Sequence, residues 1–352
     1  MSTNLQFRYD SILAKAKALD IKVSDDAKWY LQNWVLADAS IKLDDDSSFM
    51  LSRSLEQELA IKPEAPRPEL ALAEGDLLPT IPVDKGAKSY HYALNDEQGL
   101  AEWGSGSSKD MPMVSASSAE MLGYLDRTML GYSWDTEDLR NAAYAGKPLQ
   151  PRLANAATRG HMETWDSALA WGQESRRLLG LFNHPNITLL SAPDGGSGTS
   201  WRTKTVAQIL ADIASLVNTV PVIMNETRHV NTVLWSPRLA RFCRQTLADA
   251  VLDVHTKIWD VIKETFPEIE FREVRYLDAT NARSQGRLAT DALFAMIRGD
   301  ASKVGKVNAM DPTFSPPQQE GLTINMYGEA KRGGIEMAEP LTCVRMDGVF
   351  AG

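Results

Sequence analysis

Residues 131–185 read GYSWDTEDLRNAAYAGKPLQPRLANAATRGHMETWDSALAWGQESRRLLGLFNHP and hold the longest helical pattern in the chain. Leu153, Ala157, His161, Thr164, Ala168 and Trp171 fall on or near one face, which predicts a helix from about Pro151 to Arg177. Proline suits its first turn, where the missing N–H would have had no partner in any case. At 1.5 Å per residue the helix would span roughly 40 Å, long for a compact domain. The small residues Ala154, Ala156, Ala157 and Gly160 would let it lie close against a sheet. Upstream, Asp135 or Thr136 is placed to cap a short helix ending at Ala145–Gly146, and Gly146–Lys147–Pro148 breaks it.

Toward the C-terminus, Thr205–Val220 predicts an amphipathic helix and Thr232–Trp235 a buried strand. Residues 238–265 read as helical, Ile269–Arg275 alternates as a strand, and Ala292–Ile297 is a further apolar run. Together residues 205–300 form an α/β unit. Short strands and turns fill the last fifty residues. Toward the N-terminus, residues 121–134 read as a strand or strand pair, and Ser89–Leu94 as an aromatic strand with its turn at Asn95–Gly99. Residues 100–113 form a glycine- and serine-rich excursion with an exposed Trp103. Residues 1–62 predict three helices, at 10–19, after a Ser24 cap, and at 47–61. Pro63, Pro66 and Pro68 then make a stiff linker. The class expected is mixed α+β.

Composition narrows the functions. No apolar run approaches the ~20 residues of a membrane span, and MSTNLQFRYD lacks the pattern of a secretion signal. Two cysteines, Cys243 and Cys343, suit a reducing compartment and exclude a disulfide framework. A net charge of −9 without a basic stripe argues against sequence-specific nucleic-acid binding. Asp44–Asp46 lacks the glycine and terminal glutamate of a calcium loop. His161 and Glu163 resemble half of a zinc motif, but position 165 is Trp, and the other histidines sit in no metal pattern. GGSGTS at 195–200 lacks the lysine of a phosphate loop, and Thr199 stands where a nucleophile elbow needs serine. Cys243 reads as a packing residue, and Glu268 and Glu270 as a solvated strand edge. No catalytic, cofactor-binding or metal-binding residue is assigned, and no cofactor is expected.

Several strings, in order, resemble a tailed-phage major capsid protein family with the Hong Kong 97-type fold. These are Leu77–Val83 before the Ser89–Tyr92 strand, Gly99–Ala101, Asp110–Pro112, Gly131–Trp134 with Asp138, Leu139, Ala142, Gly146, Pro148 and Leu149, then Gly180, Leu181, Asn183 and Pro185. Ile209, Leu210, Asp212 and Ile213 follow, and Arg332–Ile335, Pro340 and Asp347–Val349 close the pattern. The resemblance covers roughly residues 75–352. Residues 1–70 depart from it, with a helical region where such proteins have a short arm or a removable scaffolding segment. We expect that region to be retained.

The resemblance implies a helical N-terminal arm over 1–75 and an extended-loop hairpin with peripheral strands over 76–134. A peripheral domain with a long spine helix would cover 135–200, an axial domain 201–310, and strands returning to the peripheral domain 311–352. It implies subunit contacts through the loop residues Asn95, Gly99, Trp103, Asp110 and Pro112, with Gly146, Pro148 and the 195–200 loop as hinges. It also implies a homo-oligomer of pentamers and hexamers enclosing double-stranded DNA without sequence specificity. Scaffolding, portal and decoration proteins are possible partners, and no membrane is involved. Such a chain would assemble in a bacterial host cytoplasm and end in the virion. An encapsulin-type compartment shell and a soluble α/β enzyme are the alternatives. The enzyme would be a monomer or small oligomer with a polar pocket near residues 195–200.

Overall fold

The computed structural model describes residues 69–98, 114–144, 150–246, 256–281, 284 and 286–350. The chain divides into residues 1–67 and 68–352, and the fold below is that of the second unit. The helices expected within 1–62, the 100–113 excursion and the Gly146–Pro148 break lie outside the described residues.

Three sheets organise it. The first contains β1 (Thr80–Pro82), β2 (Ser89–Gln98), β3 (Ser115–Met129), β9 (Val304–Phe314) and β12 (Gly328–Met337), in the order β1-β9-β12-β3-β2. Only β1 runs parallel to its neighbour. The second contains β5 (Thr188–Ser191), β6 (Thr232–Trp235), β7 (Glu270–Glu273), β8 (Asp291–Met296) and β13 (Val344–Phe350), ordered β5-β13-β8-β6-β7. A small antiparallel sheet joins β10 (Gln318–Glu320), β11 (Thr323–Met326) and β4 (Tyr132–Asp135). The helices are α1 (Thr136–Tyr144), α2 (Gln150–Trp171), α3 (Val206–Ile223), α4 (Pro237–Gln245) and α5 (Ile258–Thr265).

The second sheet is covered on both faces, so its central strand reads as an unbroken apolar run rather than an alternating one. From β8, Ala292, Phe294 and Met296 enter a core with Trp165, Leu169 and Trp171 of α2. Leu293 and Ala295 enter a second core with Ile209, Ile213 and Leu216 of α3, and with α4 and α5. Local chemistry fixes the helix starts. Thr205 and Gln208 form a reciprocal capping box at α3. Ser236 caps α4 by accepting from the Leu239 N–H while its own hydroxyl donates to Asp291 of β8.

Three expectations change. The long helix ends at Trp171, not Arg177, because Gly172 takes a left-handed φ of +67° and stops the ladder. Glu174–Arg176 form a separate 3-10 turn. Residues 238–265 are not one helix: α4 ends where Thr246 turns extended, and α5 begins at Ile258. Leu239 and Cys243 of α4 and Ile258 and Ile262 of α5 share one core, which a straight helix running roughly 42 Å could not reach with both ends. Asn95 is not in a turn. It pairs with Ser118 inside β2, which continues to Gln98. The polar run Ser115–Ser118 supplies a backbone partner, and pairing overrides the turn preference of Asn95 and Asp96. For residues 121–134, read as a strand or strand pair, the structure has the pair, with β3 ending at Met129 and β4 starting at Tyr132.

Candidate assembly surface

β2 and β3 form a ribbon registered from Ser89↔Tyr124 to Gln98↔Ser115. The 15 residues of β3 cover roughly 50 Å. Every described side chain from Ala116 to Leu122 is exposed, and Leu125 is the first buried one. Met121 and Leu122 are among the exposed residues, 40% and 57% accessible. A two-stranded ribbon is marginal in water without a surface to lie on. Among the described residues, no core group covers its outer part.

The root of the ribbon, by contrast, is tightly held. The Tyr90 ring lies across Gly123, where a Cβ would fall 2.2 Å from the ring. The Tyr90 and Tyr92 hydroxyls both donate to the Glu336 carboxylate on β12. Burial, reinforced by that carboxylate, pushes both phenol pKa values well up. Arg177 stacks 5.4 Å from the Tyr124 ring centroid and donates to its hydroxyl, while Arg176 pairs with Asp126 at 3.2 Å.

Other surfaces also lack internal cover. No residue of α1 is buried; Leu139 is 39% and Tyr144 97% exposed. Nine residues make a helix too short to persist alone, so its stability must come from packing. Beside it Leu322 and Tyr327 flank β11, and Met129 and Leu130 follow the end of the ribbon, all exposed.

Beneath α2 lies a buried polar network. Asp166 accepts from the Leu72 and Ala73 N–H groups at 2.9 and 2.8 Å and from the Tyr276 hydroxyl at 2.7 Å. Lys306 donates to the Leu72, Ala73 and Gly75 carbonyls, and burial lowers its pKa against the pull of Asp166. Arg332 stacks on Trp165, whose indole donates to the Gly333 carbonyl. His161 is buried with Nδ1 3.0 Å from the Thr128 hydroxyl. Together these groups tie α2 to β3, β9, β12 and residues 72–75, and their positions in sequence carry no local signal of it.

Of the interface residues expected from the sequence, Asn95 lies in β2. Gly99, Trp103, Asp110 and Pro112 lie outside the described residues, as do the hinge candidates Gly146 and Pro148. In the 195–200 loop the N–H groups of Gly196 and Gly198 both bond the Asp194 carboxylate at 2.9 Å, so an internal acid occupies the anion-binding turn. Among the described residues no group of three His, Cys, Asp or Glu could hold a metal. Cys243 is fully buried in the α3–α5 core, and burial raises its thiol to about 12.

The fold is similar to solved shell proteins. The capsid of Myoviridae phage XM1 matches with a TM-score of 0.67 and 14% identity, over 86% of this chain and all of that one. The capsid of the native GTA particle matches at 0.56 and 10% identity, over 84% and 95%. The SrpI encapsulin of Synechococcus elongatus PCC 7942 matches at 0.55 and 12% identity, over 85% and 94%. At such identities the likeness is one of fold: the mixed α+β, Hong Kong 97-type architecture. No curated protein matches in sequence. Residues 99–349, however, match the family described as major capsid protein, a structural and not an enzymatic family. This chain belongs to the major capsid protein family.

Proposed function

We propose that the chain repeats as pentamers and hexamers to close an icosahedral phage head around double-stranded DNA. The observation that carries this reading is the β2–β3 ribbon, rooted by Tyr90, Tyr92 and Glu336 yet exposed at every described side chain from Ala116 to Leu122. Such an element gains its stability by lying over a neighbouring copy. Asn95, Gly99, Trp103, Asp110 and Pro112 then belong to that contact. Head-to-tail contacts of this kind close into rings, and one sequence serves both five- and six-membered rings if hinges absorb the angle. Gly146 and Pro148, between α1 and α2, are those hinges. The first sheet with α2 serves as the peripheral domain, and α3–α5 with the second sheet contributes the axial domain. The net charge of −9 suits a wall that encloses DNA without gripping it. Scaffolding, portal and decoration proteins complete the assembly, in a bacterial cytoplasm.

The test is the content and symmetry of particles from infected or induced cells. Nuclease-protected double-stranded DNA inside shells with five- and six-membered capsomers supports the reading. Shells that hold a protein cargo and no DNA would instead support a compartment shell.

A further inference from the structure

The Phe350 ring carries a guanidinium from each of two segments. Arg202, in the loop before α3, stands 4.8 Å from the ring centroid, and Arg238, in the first turn of α4, stands 4.9 Å from it. The ring itself is buried, with Phe242 packed 5.3 Å away. Arg241 follows Arg238 one turn along α4 and is exposed, its Nε donating to the Pro237 carbonyl. The helix reads PRLARFCRQ and holds no acid. Its last arginine, Arg244, pairs with Glu273, and Arg127, Arg228, Arg272 and Arg298 have carboxylate partners as well. Among the described residues no carboxylate pairs with Arg202, Arg238 or Arg241. Asp291, buried nearby, feels the Arg238 charge, but its oxygens accept from the Ser236 hydroxyl and the Ala279 N–H.

Three like charges on one face repel one another, and an anion set among them removes that cost. Guanidiniums held against a ring present their N–H donors in fixed planes, the geometry that pairs with the oxygens of a phosphate. A duplex carries a charge every ~1.7 Å of its axis, so its backbone can engage all three cations without a base contact. No basic stripe shows in the sequence, because Arg202 joins the α4 arginines only through the fold. We infer that Arg202, Arg238 and Arg241 form a phosphate site, occupied by the backbone of double-stranded DNA. DNA as the source of the phosphates rests on the shell reading, which the site deepens by naming the face that meets the packaged polymer. The strip holds phosphates locally, and the net charge of −9 keeps that hold weak and sensitive to salt.

The test titrates the full-length, unassembled chain against a short fluorescein-labelled duplex by anisotropy at low salt. Arg202→Ala with Arg241→Ala removes two exposed cations and leaves Arg238 packed on Phe350. Arg140→Ala with Arg152→Ala removes the same charge from exposed positions elsewhere, and circular dichroism checks that both variants fold. Saturable binding by the wild type is expected, weakened roughly tenfold or more in the first variant and under about twofold in the second. No binding by the wild type, or equal losses in the two variants, would overturn the site. Inorganic phosphate as competitor separates the two sources of the ligand. Displacement of the duplex no better than by sodium chloride of equal ionic strength supports DNA. Displacement by phosphate where the chloride has no effect would make free phosphate the occupant and overturn DNA. A first variant that binds the duplex like wild type yet no longer assembles would assign the cations to an acidic surface of a neighbouring copy, and the inference falls. The titration needs no particles, so a chain that binds as expected but never forms shells would strike the shell reading and keep the phosphate site.

Discussion

The Arg332 guanidinium carbon stands 4.2 Å from the centroid of the Trp165 ring, with the arginine side chain 2% exposed. A buried cation on an indole face is held by the ring quadrupole as well as by packing. Trp165→Ala should cost about 3–5 kcal/mol by chemical denaturation of the unassembled chain. Combined with Arg332→Met, the loss should fall short of the sum by about 0.5–2 kcal/mol. Simple additivity would mean that the two side chains only pack.

Asp166 binds two backbone N–H groups of residues 72–73 and the Tyr276 hydroxyl from within α2. Asp166→Ala leaves those donors buried without this acceptor and removes a carboxylate near Lys306. A loss of about 3 kcal/mol is expected. Hydrogen exchange at the Leu72 and Ala73 amides should accelerate more than exchange in α3. Unchanged protection at those amides would count against Asp166 as the tether.

His161 and His184 are both held below 6.5 by burial. A backbone hydrogen bond with Leu130 partly offsets the burial at His161, and Arg332 adds a smaller push downward. Between the depressed folded value and 6.5, the unfolded chain binds protons that the folded chain refuses. Stability therefore falls as pH drops through 6.5, and the fall continues until the folded value is reached. The urea midpoint should drop more between pH 7.5 and 5.5 in the wild type than in His161→Gln. Carboxylate contributions are common to both and cancel. Parallel pH curves would show that His161 contributes nothing to the dependence.

Gly123 lies under the Tyr90 ring with no room for a side chain. Gly123→Val should tilt the ribbon off its root at a local cost of about 1–3 kcal/mol. The chain should stay folded by circular dichroism yet lose closed particles. Gly123→Val with Tyr90→Ala should recover part of the assembly. Normal shells from the single variant would show that the ribbon angle is not set here.

Periodicity alone revealed α2 and α3, and the apolar run at 292–297 revealed β8, because each has a large core-facing surface. The end of α2 was also written in the chain, at Gly172, but the polar stretch after it reads equally well as a further helical turn. Asn95 shows the opposite failure: a residue typical of turns sits in a strand because the partner strand is long. The residues that hold the site together were not legible. Glu336 lies far along the chain from Tyr90, and Arg332 and Lys306 from Trp165 and Asp166. Only the fold brings these pairs together, and each looks like an ordinary surface residue in its own window.

The most direct measurement is negative-stain electron microscopy of the purified recombinant chain, with its sedimentation profile. Closed shells, or rings of five and six copies, are the expected result. A monodisperse monomer that never assembles, at high concentration or with a candidate scaffold, would contradict the assignment of the ribbon to contact between copies.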